Sequence, residues 1–183
     1  MNYTDVQSAI VDEIKKSLSN IDSNSIDKLV NDILSAKRIF VTGAGRSGLM
    51  IKAFAMRLMH MNIPTYVLGE IATPSVAKGD LLIIASGSGS TGSLVNVAQK
   101  AKSYGLNVAL ITTKEDSPIG LLSDTVVCIK ASSKQEHNDI TIQPMGSLYE
   151  QSLMLLDDVI VLLLMNKLNL TSDEMFKNHA NLE

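Results

Sequence analysis

Tryptophan is absent from this 183-residue chain, and aromatic residues of all kinds make up 4% of it. Stacking platforms for nucleic-acid bases are therefore scarce. No block of like charge is present, and the formal net charge is −3. That argues against an extended basic face for nucleic acid and leaves room only for a local basic pocket. Cys128 is the only cysteine, so no intrachain disulfide can form, which fits a reducing cytoplasm. It lies in a strand-like run, residues 125–129, and is expected to be a buried structural thiol. The longest unbroken apolar run is residues 159–165, flanked by Asp157 and Asp158. It is too short to span a bilayer. Residues 1–11 lack the apolar stretch of a signal peptide. What the chain does have is aliphatic: 45% of residues are hydrophobic. That is enough for one domain with a substantial core of Leu, Ile, Val, Met and Ala.

Apolar residues recur at helical spacing through Val6, Ile10, Ile14 and Leu18, and again through Ile26, Leu29, Val30, Ile33 and Leu34. The period then changes. Short apolar runs at 39–41, 66–68, 81–85, 108–111 and 126–129 read as buried strands. Helical patterns at 47–61 and 93–104 and a short piece near 117–122 separate most of them. Such alternation predicts a single α/β domain over residues 1–183, with a doubly wound, Rossmann-like, five-stranded parallel sheet flanked by helices. Residues 1–36 form its N-terminal helices. Residues 131–139 are polar and read as an exposed loop. Residues 145–183 hold a long helix (148–168), a short one (171–180) and a tail. The long helix is apolar around nearly its whole circumference, which predicts either a place central to the core or burial by a partner subunit, a subunit interface being favoured for a single domain of this size.

Two strand ends carry the chemistry. Ser86, Gly87, Ser88, Gly89, Ser90 and Thr91 follow the run 81–85 and precede a helix. Glycine permits a tight turn, hydroxyls add donors, and the first N–H groups of the helix lack acceptors. Together they predict a cradle for a phosphate or another anion. The second loop, Gly43, Ala44, Gly45, Arg46, Ser47 and Gly48, also joins a strand to a helix. It matches the G-x-G-x-x-G dinucleotide pattern, with Glu70 placed downstream to meet a ribose, so a nicotinamide-binding domain competes. Arg46 and Ser47 inside the loop, and the second hydroxyl-rich loop, suit a sugar phosphate better. In an open parallel sheet both loops would border one crevice beyond the carboxyl ends of the strands.

Glu150 is the best candidate for proton chemistry, in the first turn of the long helix, where the dipole favours a carboxylate. Asp157 lies two turns along the same face and is expected to be a second polar group in the interface. Of three histidines, His60 closes a helix, His137 lies in the polar loop and His179 lies in the tail, where a free end is usually disordered. No His, Cys or Asp pair has metal-ligand spacing, and no nucleophile elbow is present. Neither a metal nor a cofactor is expected.

Taken together, the two loops resemble those of the SIS (sugar isomerase) domain. Further segments resemble the 6-phospho-3-hexuloisomerase family: Arg57-Leu58-Met59-His60, Gly69-Glu70 with Thr73-Pro74, Gly79-Asp80-Leu81-Leu82, residues 143–151 and residues 179–183. The resemblance runs from residue 38 to the C-terminus. It implies interconversion of D-arabino-3-hexulose 6-phosphate and D-fructose 6-phosphate in the cytoplasm, beside 3-hexulose-6-phosphate synthase, in formaldehyde fixation or detoxification. It implies a tetramer with sites between subunits. By position, Ser47 and residues 86–91 correspond to substrate-binding loops, and Gly45 and Arg46 of the first loop are expected to bind substrate beside them. Glu150 corresponds to the proton acceptor, and His179 to a tail histidine reaching a neighbouring subunit's site. The family tail usually has Arg before that histidine, whereas this chain has Asn178. Pentose-phosphate aldose–ketose isomerases and non-catalytic sugar-phosphate sensors share the loops. The sensors usually carry a DNA-binding region, and no basic recognition helix is present in the first 35 residues.

Overall fold

The computed structural model describes residues 2–131 and 141–182. Five parallel strands form one sheet: β1 (Ile39–Gly43), β2 (Thr65–Val67), β3 (Leu81–Ala85), β4 (Asn107–Thr112) and β5 (Thr125–Cys128), in the order β2-β1-β3-β4-β5. The helices are α1 (Tyr3–Ser19), α2 (Ser23–Ser35), α3 (Gly45–His60), α4 (Gly92–Ser103), α5 (Ser147–Leu168) and α6 (Ser172–Phe176). The expected doubly wound α/β fold is thus present. Element ends differ from the sequence reading by a few residues, most at α6, which stops at Phe176 and leaves residues 177–182 as turn and tail.

Period-two alternation divides the strands between two cores. Ile39, Val41, Leu81, Ile83 and Ile111 face α2, α3 and α5. Phe40, Leu82, Ile84, Val108 and Leu110 face α4. Because β3 is buried along its whole length, its sequence is a continuous apolar run rather than an alternating one. Each such side chain removed from water contributes about 1.5–3 kcal/mol before entropy is counted.

Strand order reverses between β1 and β3, so the crevice at their carboxyl ends is the switch point of the sheet. The third glycine of the first loop is needed for packing there. A Cβ on Gly48 would lie 2.7 Å from the Gly43 carbonyl oxygen, so only glycine lets α3 start this close to β1. Helices α3 and α5 lie side by side and run the same way. Arg46 meets Ser147 at their N-terminal ends, and Arg57 and His60 share a cavity with Val161 and Met165 towards their C-terminal ends.

The wholly apolar look of α5 has two causes. Leu153, Leu156, Ile160, Val161 and Leu164 are buried within the chain itself, while Leu155, Val159 and Leu162 stay exposed. Asp157, expected in an interface, is instead inside the fold at 3% exposure.

Candidate active site

Three helices begin at the switch point. α3 follows β1, α4 follows β3, and Gly43 pairs with Ala85 at the strand ends. The first turn of α5 is joined to α3 through Arg46. None of these three has a side-chain N-cap. By contrast, α1, α2 and α6 are capped by Asn2, Asp22 and Thr171. Backbone N–H groups at an uncapped start lack intrahelical acceptors and carry the positive end of the dipole. They suit an anion.

The 86–91 loop is held mainly from the end of β4. The Ser86 amide donates to the Ile111 carbonyl at 3.1 Å. The Gly87 carbonyl accepts from the Thr113 amide (3.0 Å) and from the Thr112 and Thr113 hydroxyls (3.0 and 2.8 Å). The Gly89 carbonyl accepts from the Ile119 amide at 2.9 Å. Ser86 is buried, Ser88 and Thr91 are half-buried and Ser90 is exposed. Thr112 and Thr113 were absent from the sequence-derived site. Their place at the carboxyl end of a parallel strand was the one available signal.

Arg46 and Glu150 meet. Arg46 Nη1 lies 2.9 Å from Glu150 Oε2 and donates to Ser147 Oγ at 3.0 Å. The Glu150 side chain is 2% exposed and that of Arg46 is half-exposed. A buried carboxylate is thus held by a cation at the rim, in the first turn of α5, where the helix dipole also favours negative charge. Ser47 is buried beside them in the first turn of α3. Ser147 and Tyr149 lie in the 143–151 segment that carries the family resemblance, but neither is among the site residues expected from sequence. Tyr149 is fully buried, and its hydroxyl donates to the Ile111 carbonyl at 2.8 Å.

His179 is elsewhere. Its ring stacks on His60 and on Phe176, each at 5.5 Å between centroids. The neighbouring Asn178 amide donates to the His60 carbonyl at 2.8 Å. Arg57 donates to His60 Nδ1 at 3.3 Å, and burial, Arg57 and His179 together hold the His60 pKa below its usual value. Arg57, His60, Phe176 and His179 line a cavity of about 390 Å³. α3 separates it from Arg46 by about 20 Å at 1.5 Å per residue. Within one chain, then, Glu150 and His179 are not brought together, and the tail packs on its own subunit. Glu70 forms an exposed ion pair with Lys52 at 2.8 Å. Cys128 is buried, which pushes its thiol pKa up and fits a structural role. His137 lies outside the described residues. Among the described residues no three His, Cys, Asp or Glu gather to hold a metal ion, and no helix is long and apolar enough to cross a membrane.

An open parallel sheet with two phosphate-type loops at its switch point defines a class, and the SIS domain model matches residues 32–162. The chain belongs to the SIS domain family. It is 48% identical to the 3-hexulose-6-phosphate isomerase of Bacillus subtilis (strain 168), over the full length of both chains. It is 39% identical to the enzyme of that name from Mycobacterium gastri, covering all of this chain and 92% of that one. A crystal structure from Methanococcus jannaschii, described as inferring a molecular function of 3-hexulose-6-phosphate isomerase, superposes with a TM-score of 0.85. It shares 35% identity and full coverage of both chains. Among SIS proteins this chain is thus a member of the 6-phospho-3-hexuloisomerase group, and a sugar-phosphate isomerase by family.

Proposed function

We propose that this chain converts D-arabino-3-hexulose 6-phosphate to D-fructose 6-phosphate through a cis-2,3-enediol. The observation that carries this reading is Glu150, buried, held by Arg46 and next in sequence to Tyr149, whose ring lies against Gly87 of the 86–91 loop, among three uncapped helix starts. The substrate phosphate sits on the 86–91 loop and the N-terminus of α4 and anchors the sugar remotely, fixing C2 against Glu150. Glu150 takes the C2 proton and returns it at C3 on the same face. Hydroxyls and backbone N–H groups of the 43–48 and 86–91 loops stabilise the enediolate oxygen.

His179 serves a neighbouring subunit. Because α3 and α5 both run from the site towards the tail cluster, antiparallel pairing of two copies would set one copy's tail against the other's site. Leu49, Met56 and Met59 on α3 and Leu155, Val159 and Leu162 on α5 are exposed apolar residues available for such pairing. His179 then moves the proton between O2 and O3, or opens the ring of fructose 6-phosphate in the reverse direction. The assembly is a homotetramer in the cytoplasm. Its substrate comes from 3-hexulose-6-phosphate synthase, in the ribulose monophosphate route of formaldehyde fixation or detoxification.

The test is a coupled assay that supplies the synthase product and follows fructose 6-phosphate. Glu150→Gln should lower kcat by about 10²–10⁴-fold and abolish exchange of the C2 proton with solvent. Retained exchange removes Glu150 as the base. Turnover of arabinose 5-phosphate in place of the hexulose phosphate would move the enzyme to another substrate.

A further inference from the structure

Tyr149 is the largest of the fully buried side chains, and the mechanism above does not use it. It stands between Leu148 and Glu150 in the first turn of α5. Its hydroxyl reaches the end of β4, at the Ile111 carbonyl. That same carbonyl accepts the Ser86 amide, the first of the anion loop. Its ring lies under the next residue of that loop. A Cβ built on Gly87 would come within 3.2 Å of Tyr149 Cδ1 and 3.4 Å of Cε1. One rigid ring therefore touches the loop, the end of β4 and the turn that carries Glu150.

We infer that Tyr149 is a positioning residue that sets the distance between the 86–91 loop and Glu150. The inference rests on the reading of Glu150 as the base. The loop is already held from the β4 side by Thr112 and Thr113, so without Tyr149 it keeps its turn and gains freedom only on the α5 side. What Tyr149 adds is register between the loop and α5. Removing the ring should leave phosphate affinity largely intact while displacing the reacting carbon from the carboxylate. A misplacement of about 1 Å costs about 10²-fold in rate. The contact also accounts for glycine at position 87. A methyl there would come within 3.2 Å of the buried ring, so ring or loop would have to give by a few tenths of an ångström in a close-packed interior.

Three variants test this. Tyr149→Leu should lower kcat by about 10–100-fold with KM changed less than about threefold, the pattern of an interaction realised in the transition state. Tyr149→Phe, which keeps the ring and loses only the bond to Ile111, should recover most of that kcat. Gly87→Ala should also lower kcat. In the double variant with Tyr149→Leu the two losses should fall well short of multiplying, because the methyl occupies space the ring has left. Amide exchange at residues 87–90 should rise in Tyr149→Leu and stay near wild type in Tyr149→Phe. A Tyr149→Leu enzyme that loses melting temperature but keeps kcat and loop protection overturns the inference. So do losses that multiply in the double variant. If the wild type turns over no hexulose phosphate, it is the proposed function that fails, while the exchange data still show whether Tyr149 holds the loop.

Discussion

Two buried aspartates with opposite pH signatures show what single residues contribute. Burial pushes the Asp157 carboxyl well above its usual value, and the neighbouring Asp158 adds to this. Neither Asp157 oxygen has a hydrogen-bond partner among the described residues. The folded chain therefore keeps a proton that the unfolded chain releases near pH 4. Stability attributable to Asp157 falls as pH rises from there towards the folded value. Replacing it with Leu removes a cost of about 1–3 kcal/mol. The melting temperature at pH 8 should rise by about 3–8 °C, and by clearly less at pH 3. An equal gain at both pH values would refute titration as the cause.

Asp80 works the other way. Burial raises its pKa, but the Arg38 hydrogen bonds and the Ala77 amide outweigh burial and hold it below the usual value. Its contribution is complete above the unfolded value near 4 and is lost as pH falls through the lower folded value. Asp80→Asn should lower the melting temperature at pH 7, and the difference from wild type should close as pH falls through the lowered folded value. Differential scanning calorimetry across that range measures both slopes.

Among the elements, the helices divide by their starts. Those remote from the switch point carry side-chain caps, and those that open onto it do not. An omitted cap costs about 0.5–2 kcal/mol of helix stability and leaves N–H groups for a ligand. Thr91, the N-cap residue of α4 without a capping bond, lets the two effects be separated. Thr91→Asp should cap α4 and keep or raise the melting temperature. It should also place a negative charge where the phosphate is proposed to sit, raising KM for a sugar phosphate about tenfold or more. An unchanged KM would move the phosphate off α4. The α3–α5 pair makes a related point. Arg46 ties the two first turns through Ser147 and Glu150, both met by Nη1 at the far end of its long side chain. Arg46→Lys keeps the charge and loses that reach, so it should not restore the activity lost in Arg46→Ala.

For the whole molecule the question is how Glu150 and His179 could serve one reaction from opposite ends of α3. If sites are built from two copies, Glu150→Gln and His179→Ala chains, each impaired alone, should complement when mixed by unfolding and refolding together. Random pairing gives mixed dimers in which one of two sites is intact, or about a quarter of wild-type activity. No recovery, with mixed oligomers verified by mass spectrometry, would confine each site to a single chain. Placing Glu at Val159 or Leu162, both exposed and apolar, should break the assembly and the activity together, as read by sedimentation.

Much of this protein was legible before folding. The switch from helical to short apolar periods places the strands and helices, because periodicity is local. The two glycine- and hydroxyl-rich loops, and Glu150 in a first turn, are local in the same sense. What packs against what is not local. Arg46 meets Ser147 across a sequence separation of 101 residues, and Tyr149 meets Ile111 across 38. Both pairings exist only because α3 and α5 lie against one face of the sheet. Asp157 shares the helical face of Glu150 in sequence, yet the packing of α5 seals it inside the chain. The tail reads as a free end until Asn178 bonds His60 and His179 stacks on it. Sequence alone determined which elements form and which loops can hold an anion. Only the tertiary structure decided which charge meets which, because that depends on how the helices are laid on the sheet.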